Sequence, residues 1–317
     1  MKFLDYFDFR IGFCNEKIQG KGEDAWCYSV HENGSLTAVF DGCGGLGAAV
    51  YDKIQGHSGA YLASRAAAGA FMDWFGRWGS APEQGMDQLK ERLMAYFGCC
   101  RDSAQAEESK LRGSMVRLMP TTAAAWVTTP SAEGLRAVSI SAGDSRTFLL
   151  NKSGLTQVSR DDIDGEDALS NLEGDAPMTN VLSADGNFFC HCNPHTITGP
   201  CLLICATDGC FGYLPSPMDF ERLLLETLMQ ANSPLEWEAR LSERIDEIAG
   251  DDQALLISAY GYGSFEALKK ALSHRQQVVT GVMDGVGKDY GRLQQAWQAY
   301  KPAYYRMTEG GIPERVG

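Results

Sequence analysis

Short apolar runs that stop on an acid constrain this 317-residue chain more than any other feature. Leu36-Thr37-Ala38-Val39-Phe40 runs into Asp41-Gly42, and Leu202-Leu203-Ile204-Cys205-Ala206 runs through Thr207 into Asp208-Gly209. Asp251-Asp252 immediately precedes a third run, Ala254–Tyr260. Asp144 sits in Ala142-Gly143-Asp144-Ser145-Arg146 between two more β-favouring segments, and Glu23-Asp24 abuts Ala25-Trp26. A buried strand that ends on a carboxylate is costly unless the acid is paired or holds a cation. Several such ends gathered at one rim of a sheet would make an oxygen-rich site suited to Mg²⁺ or Mn²⁺, hard cations that keep part of their water shell. Gly42 and Gly209, directly after two of the acids, let backbone carbonyls come close.

The remaining pattern says what could carry such a rim. Phe9–Phe13 and Ala25–Val30 read as strands around a Gly/Lys-rich loop. Residues 57–78 and 85–112 are Ala-rich or periodic near 3.6 and read as two helices. Short strands follow at Thr121–Thr128, Leu135–Ser141 and Arg146–Leu150, separated by Pro/Ser/Gly turns. Residues 159–186 are polar, acidic and weakly periodic, as expected of a mobile flap. A strand at Cys201–Ala206, with Cys201, Leu203 and Cys205 alternating onto one face, precedes an amphipathic stretch at 219–248. This order predicts an α+β fold of two antiparallel β-sheets packed as a central sandwich flanked by helices, occupying residues 1–262. Residues 263–317 are predicted to form a helical C-terminal extension, broken around Gly281–Gly287, with an apolar stripe of Phe265, Leu268, Leu272, Val279 and Val282. Trp297, Tyr300, Tyr304 and Tyr305 recur at helical spacing and are expected to pack.

Charge narrows the partners. The chain carries a formal net charge of −13. From Gly263 onward eight Lys/Arg face five Asp/Glu, a net of +3 that leaves −16 on residues 1–262. Such a body is not suited to nucleic acid or to an anionic membrane. The N-terminal segment Met1–Asp8 has acids where a leader would be apolar, so a cytoplasmic location is expected. The ten cysteines are spread through a long chain and read as reduced, mostly buried small hydrophobes rather than a disulfide framework.

Taken in order, Glu23-Asp24, Asp41-Gly42-Cys43-Gly44-Gly45, Pro120-Thr121-Thr122-Ala123, Gly143-Asp144-Ser145-Arg146, Ala206-Thr207-Asp208-Gly209 and Gly250-Asp251-Asp252 resemble the successive motifs of the type 2C (PPM) metal-dependent protein serine/threonine phosphatases. Pro177–Leu182 resembles the family's segment after its flap, and the resemblance spans about residues 8–262. It implies hydrolysis of phosphoserine and phosphothreonine in proteins by a hydroxide shared between two divalent cations, Mg²⁺ or Mn²⁺, in a cleft at one end of the sandwich. By motif, Asp41 would bridge the ions, Glu23 and the Gly42 carbonyl would hold one, and Asp208 and Asp251 the other. Asp24 would orient water, and Asp144 with Asp208 would form a weaker third site. The implied partners are phosphorylated proteins and an opposing Ser/Thr kinase.

Two positions depart from the family pattern. Gln19 stands where an Arg usually grips the substrate phosphate, which leaves Lys17 or Lys21 as candidate replacements, point charges instead of a bidentate fork. Cys43 stands where many members have a His, and reads as a passive small residue. A catalytically weak member that binds phosphoproteins as a scaffold is the rival reading, and a hydrolase of small phosphomonoesters is a third. Cys190-His191-Cys192, His195, Cys201 and Cys205 hint at zinc, but strand alternation distributes them over sheet faces. The basic tail is expected either to stabilise the body, or to dock an acidic partner or restrain access to the cleft.

Overall fold

The structure is a computed structural model that describes residues 3–45, 50–51, 56–104, 117–165, 167–172 and 177–308, and the backbone of 314–316. Strands β1 (Phe7–Asn15), β2 (Ala25–His31) and β3 (Gly34–Phe40) come first, then the short β4 (Val50–Tyr51) and β5 (His57–Ser58). Helices α1 (Gly59–Trp78) and α2 (Met86–Ala104) follow. The middle holds β6 (Ala123–Ser131), β7 (Gly134–Ala142), β8 (Arg146–Asn151), β9 (Gly154–Gln157), β10 (Cys190–Ile197) and β11 (Cys201–Ala206). Helices α3 (Pro217–Gln230) and α4 (Pro234–Asp246) lead to β12 (Gln253–Tyr260). Helices α5 (Phe265–Val286) and α6 (Tyr290–Tyr304) and the short β13 (Glu314–Val316) complete the order.

Two antiparallel sheets carry the fold, one ordered β1-β12-β11-β8-β9 and the other β13-β10-β7-β6-β3-β2. Their inner faces interlock through Val39, Trp126, Leu149, Leu203, Cys205, Leu256 and Tyr260. Cys201, Leu203 and Cys205 do line one face, the inner one. The outer face of the β6–β7 sheet is covered by α1 and α2, with Ala63, Ala67, Phe71 and Trp74 against Phe40, Ala125 and Ile140. The outer face of the β11–β12 sheet is covered by α3, α4, α5 and α6.

Helix limits follow local chemistry. Ser58 caps α1 by accepting from the Tyr61 amide at 3.0 Å, and Ser216, Ser233 and Ser264 cap α3, α4 and α5 in the same way. The amphipathic stretch at 219–248 is two helices, because Ala231 turns extended and the Ser233-Pro234 pair cannot continue α3. The second helix ends at Ala104 among the described residues, and 105–112 lie outside them. In the tail, α5 runs through Gly281 and Gly285 and stops only at Gly287, whose φ of 57° ends it. Val282 is 44% exposed, so Met283 and Val286 complete the buried stripe in its place.

The described tail is an outer layer of the sandwich. Phe265, Leu268, Leu272, Val279, Met283, Trp297 and Tyr304 join one core with Ile11, Leu202 and Ile257. A buried polar hub locks it in place. The fully buried Glu221 of α3 accepts from the Leu155 amide (3.0 Å), from Arg275 of α5 (2.7 and 2.6 Å) and from the Tyr300 hydroxyl of α6 (2.6 Å). No described helix is long and apolar enough to cross a membrane.

Candidate functional site

Antiparallel pairing brings the acids to one end. Ala25 pairs with Phe40, so Asp24 at the start of β2 stands beside Asp41 at the end of β3. Ala206 pairs with Leu255, so Asp208 after β11 stands beside the Asp251-Asp252 approach to β12. Ala206 also pairs with Arg146, which adds the β7–β8 turn holding Asp144. Backbone and hydroxyl contacts fix each corner. The Asp41 amide donates to Thr122 Oγ1 (3.0 Å), and its carbonyl accepts from the Thr122 amide (2.8 Å) and from Thr121 Oγ1 (2.7 Å). Thr207 Oγ1 donates to Asp24 Oδ2 at 2.8 Å and ties the two sheets together across the rim. Asp252 accepts the Lys17 and Glu23 amides at 2.7 Å each, anchoring the loop that presents Glu23.

Three glycines at the rim are required by close packing. A Cβ on Gly42 would lie 2.6 Å from the Ala60 carbonyl oxygen, and one on Gly44 would collide with the Glu23 carboxylate. Gly209 similarly backs onto the Asp252 carbonyl.

Electrostatics set this rim apart. Burial pushes the Asp41 carboxyl well above its ordinary range, and Asp208, Asp24, Asp144 and Asp251 push it further. Asp24 is raised in the same way by burial, against the stabilising Thr207 hydroxyl, with Asp208, Asp252 and Asp251 adding repulsion. Burial and Asp251 raise Asp208, and burial with Asp208 and Asp161 raises Asp144 to about 8. Glu23 is raised by burial, partly offset by the Ser58 hydroxyl that bonds its Oε1. Arg146 offsets Asp144 and Asp208 only in part, since it is paired with Asp161 through bonds of 3.1 and 2.7 Å. Asp144 Oδ1 is buried without a hydrogen-bond partner.

A cluster of buried carboxylates that raise one another, one of whose oxygens is buried without a partner, fits divalent cations. Among the described residues no three His, Cys, Asp or Glu side chains group tightly enough to hold an ion by themselves. No closed zinc cage of Cys and His is therefore formed among them.

The other sequence candidates fall elsewhere. Lys17 donates its amine to the Ala249 carbonyl at 2.7 Å, while Lys21 is exposed. Cys43 is held as a thiol by burial and by Asp41 and Asp144. His57 stacks on Tyr61 with ring centres 3.8 Å apart. Cys190 and Cys192 face the helix-covered core whereas Cys201 and Cys205 lie between the sheets, so the zinc grouping does not assemble. His191 instead meets Asp162 at 2.7 Å. That Asp162 accepts the Gly143 amide (3.0 Å) and Asn180 Nδ2 (2.7 Å), buttressing the Asp144 turn. Sequence reasoning missed this buttress, together with Thr207, Ser58 and Arg65. Arg65 donates to the Gly22 and Glu23 carbonyls at 3.0 Å each.

The same architecture occurs in solved bacterial phosphatases. The serine/threonine phosphatase PstP/Ppp of Mycobacterium tuberculosis superposes with a TM-score of 0.55 over 80% of this chain and 98% of its own, at 18% identity. The PstP catalytic domain in complex with two manganese ions gives 0.54 over 80% and 98%, at 17% identity. Stp1 of Staphylococcus aureus gives 0.56 over 79% and 94%, also at 17%. The fold is therefore that of the PPM serine/threonine phosphatases. The chain belongs to the Protein phosphatase 2C family, whose pattern matches residues 16–246. Asp251 lies just beyond that match and is brought into the rim by β12. No curated protein is a significant match in sequence.

Proposed function

We propose that the chain is a Mg²⁺- or Mn²⁺-dependent protein phosphatase that hydrolyses phosphoserine and phosphothreonine, opposing a Ser/Thr kinase in the cytoplasm. The observation that carries this reading is the rim itself. Asp24, Asp41, Asp144, Asp208 and Asp251 repel one another, and among the described residues none of them forms an ion pair with a protein cation. Asp41, the acid most surrounded by the others, would be shared by two ions. Glu23 and the Gly42 carbonyl would hold one, Asp208 and Asp251 the other, and Asp144 with Asp208 a weaker third. When bound, such cations acidify water and neutralise phosphoryl oxygens.

The chain's own residues do the positioning. Thr207 fixes one oxygen of Asp24 and leaves the other to orient water. Arg65 and Ser64, which donates to the Glu23 carbonyl, hold the Glu23 backbone at the N-terminal turns of α1. Cys43, whose thiol is pushed up by burial and then by Asp41, is a poor general acid, so the leaving oxygen would take its proton from water. Lys17 is engaged with Ala249, which makes Lys21 the better placed of the two lysines to meet a phosphate.

Turnover of p-nitrophenyl phosphate and of a phosphopeptide with Mn²⁺, abolished by EDTA, tests this. Binding of the phosphopeptide without turnover would instead support the scaffold reading. Turnover confined to small phosphomonoesters would support the metabolite hydrolase.

A further inference from the structure

The described residues of the 159–186 excursion (159–165, 167–172 and 177–186) leave and return beside the acidic rim: the outgoing foot stands on the Asp144 turn, and the returning one stands on Asp162 of the outgoing foot. On the way out, the Asp162 amide donates to the Gly143 carbonyl at 2.9 Å, and Asp161 holds Arg146. On the way back, the Thr179 amide donates to the Asp162 carbonyl at 2.7 Å, and Asn180 reaches the Asp162 carboxylate. A segment tied at both ends to a phosphate site is placed to meet what flanks the phosphate.

The described middle of the excursion is held by the C-terminal helix. Asp167 Oδ2 accepts from Lys301 Nζ at 2.7 Å and from Trp297 Nε1 at 3.1 Å, while its Oδ1 caps the Leu169 and Ser170 amides at 3.0 and 3.1 Å. The Ala168 amide donates to the Tyr305 hydroxyl at 2.6 Å. Ala168 and Leu169 are buried in the same core as Trp297 and Tyr304. A second path runs from the fully buried Tyr304 to Arg146, two positions after Asp144. Every one of these tail residues lies beyond the 16–246 family match.

We propose that α6 is a positioning element for substrate, clamping residues 167–172 so that they meet phosphopeptides in one conformation. Lys301 is its key positioning residue. This role rests on the phosphatase reading and deepens it. A preformed contact surface spares the substrate the cost of ordering it, so loosening the clamp raises KM in proportion to the population that leaves the competent state. A small ester that touches only the rim feels none of this.

The test uses the full chain with Mn²⁺ and the variants Lys301→Met and Lys301→Arg. Hydrogen exchange reads the clamp, and paired kinetics on a phosphopeptide and p-nitrophenyl phosphate read its consequence. Lys301→Met is expected to speed exchange of the 167–172 amides and to raise KM for the phosphopeptide about three- to tenfold, the loss expected from one charge-assisted hydrogen bond. The phosphopeptide kcat, and kcat/KM for p-nitrophenyl phosphate, should stay within about twofold, and Lys301→Arg should restore both readouts. Unchanged exchange overturns the clamp. Faster exchange with an unmoved phosphopeptide KM, or with equal losses on both substrates, overturns the positioning role. A wild-type chain that turns over neither substrate overturns the phosphatase reading and this role with it, which separates that failure from the variant-specific ones.

Discussion

Asp41 is under two opposed demands. It ends a fully buried strand, where burial favours a neutral carboxyl, and it faces Asp208, Asp24, Asp144 and Asp251, which favour neutrality further. Only a cation reverses both. Replacing Asp41 by Asn should therefore cut kcat with Mn²⁺ by on the order of a thousandfold or more. In EDTA the same variant should melt higher than the wild type by a few degrees, because the wild type must either protonate this carboxyl or bear its repulsion, and Asn does neither. Calorimetry with and without Mn²⁺ reads both signs, and a variant that melts lower in EDTA would contradict the repulsion. The acids were legible in the sequence because each is marked locally, by an apolar run on one side and a glycine on the other. Their supports were not legible. Thr207 reaches Asp24 across 183 positions, and no local pattern marks that partnership. Arg65 looks like any exposed helical arginine until the fold sets it against the Gly22 and Glu23 carbonyls.

Among the elements, the C-terminal helices carry the sharpest expectations. Phe265, Leu268, Leu272, Trp297 and Tyr304 fill the same core as β1 and β12. Large-to-small losses at such sites cost about 2–5 kcal/mol each, against a net stability of about 5–15 kcal/mol for a typical domain. A truncation ending at Tyr262 should thus fail to fold cooperatively, and a truncated chain with wild-type melting and raised activity would point to a restraining tail instead. The Asp167 contact has its own pH signature. Burial raises this carboxyl, but Lys301, the Ser170 amide and Trp297 outweigh burial and bring it down to about 2. A depressed acid stabilises the fold fully above its unfolded value, near 4, and loses that contribution as pH falls through its folded value. The melting difference between wild type and Asp167→Asn should accordingly be present at pH 7 and vanish towards pH 2. A difference that persists unchanged there would assign the effect to packing. Helix existence was readable from composition and periodicity. The break expected around Gly281–Gly287 falls at its last glycine, because Gly281 and Gly285 sit on the exposed side of α5, where nothing lies within 4 Å and a glycine costs only about 1 kcal/mol.

For the whole molecule, the charge imbalance between body and tail has an internal use. Arg275 pairs with the buried Glu221 and Lys301 with Asp167, so part of the tail's basic surplus is spent on the acidic body and not on an outside partner. The two-sheet class could be read from the alternation of strands and helices. The sheet order could not, since β1 pairs with β12 at the far end of the family domain, a contact between distant segments with no local signature.

The most direct test is phosphate release from a phosphothreonine peptide by the full chain, measured with Mn²⁺, with excess EDTA, and with the Asp41→Asn variant in parallel. Release should require Mn²⁺, disappear in EDTA, and fall by on the order of a thousandfold in the variant. Release that persists in EDTA, or that survives Asp41→Asn at saturating Mn²⁺, would show that the carboxylate rim is not where the chemistry happens.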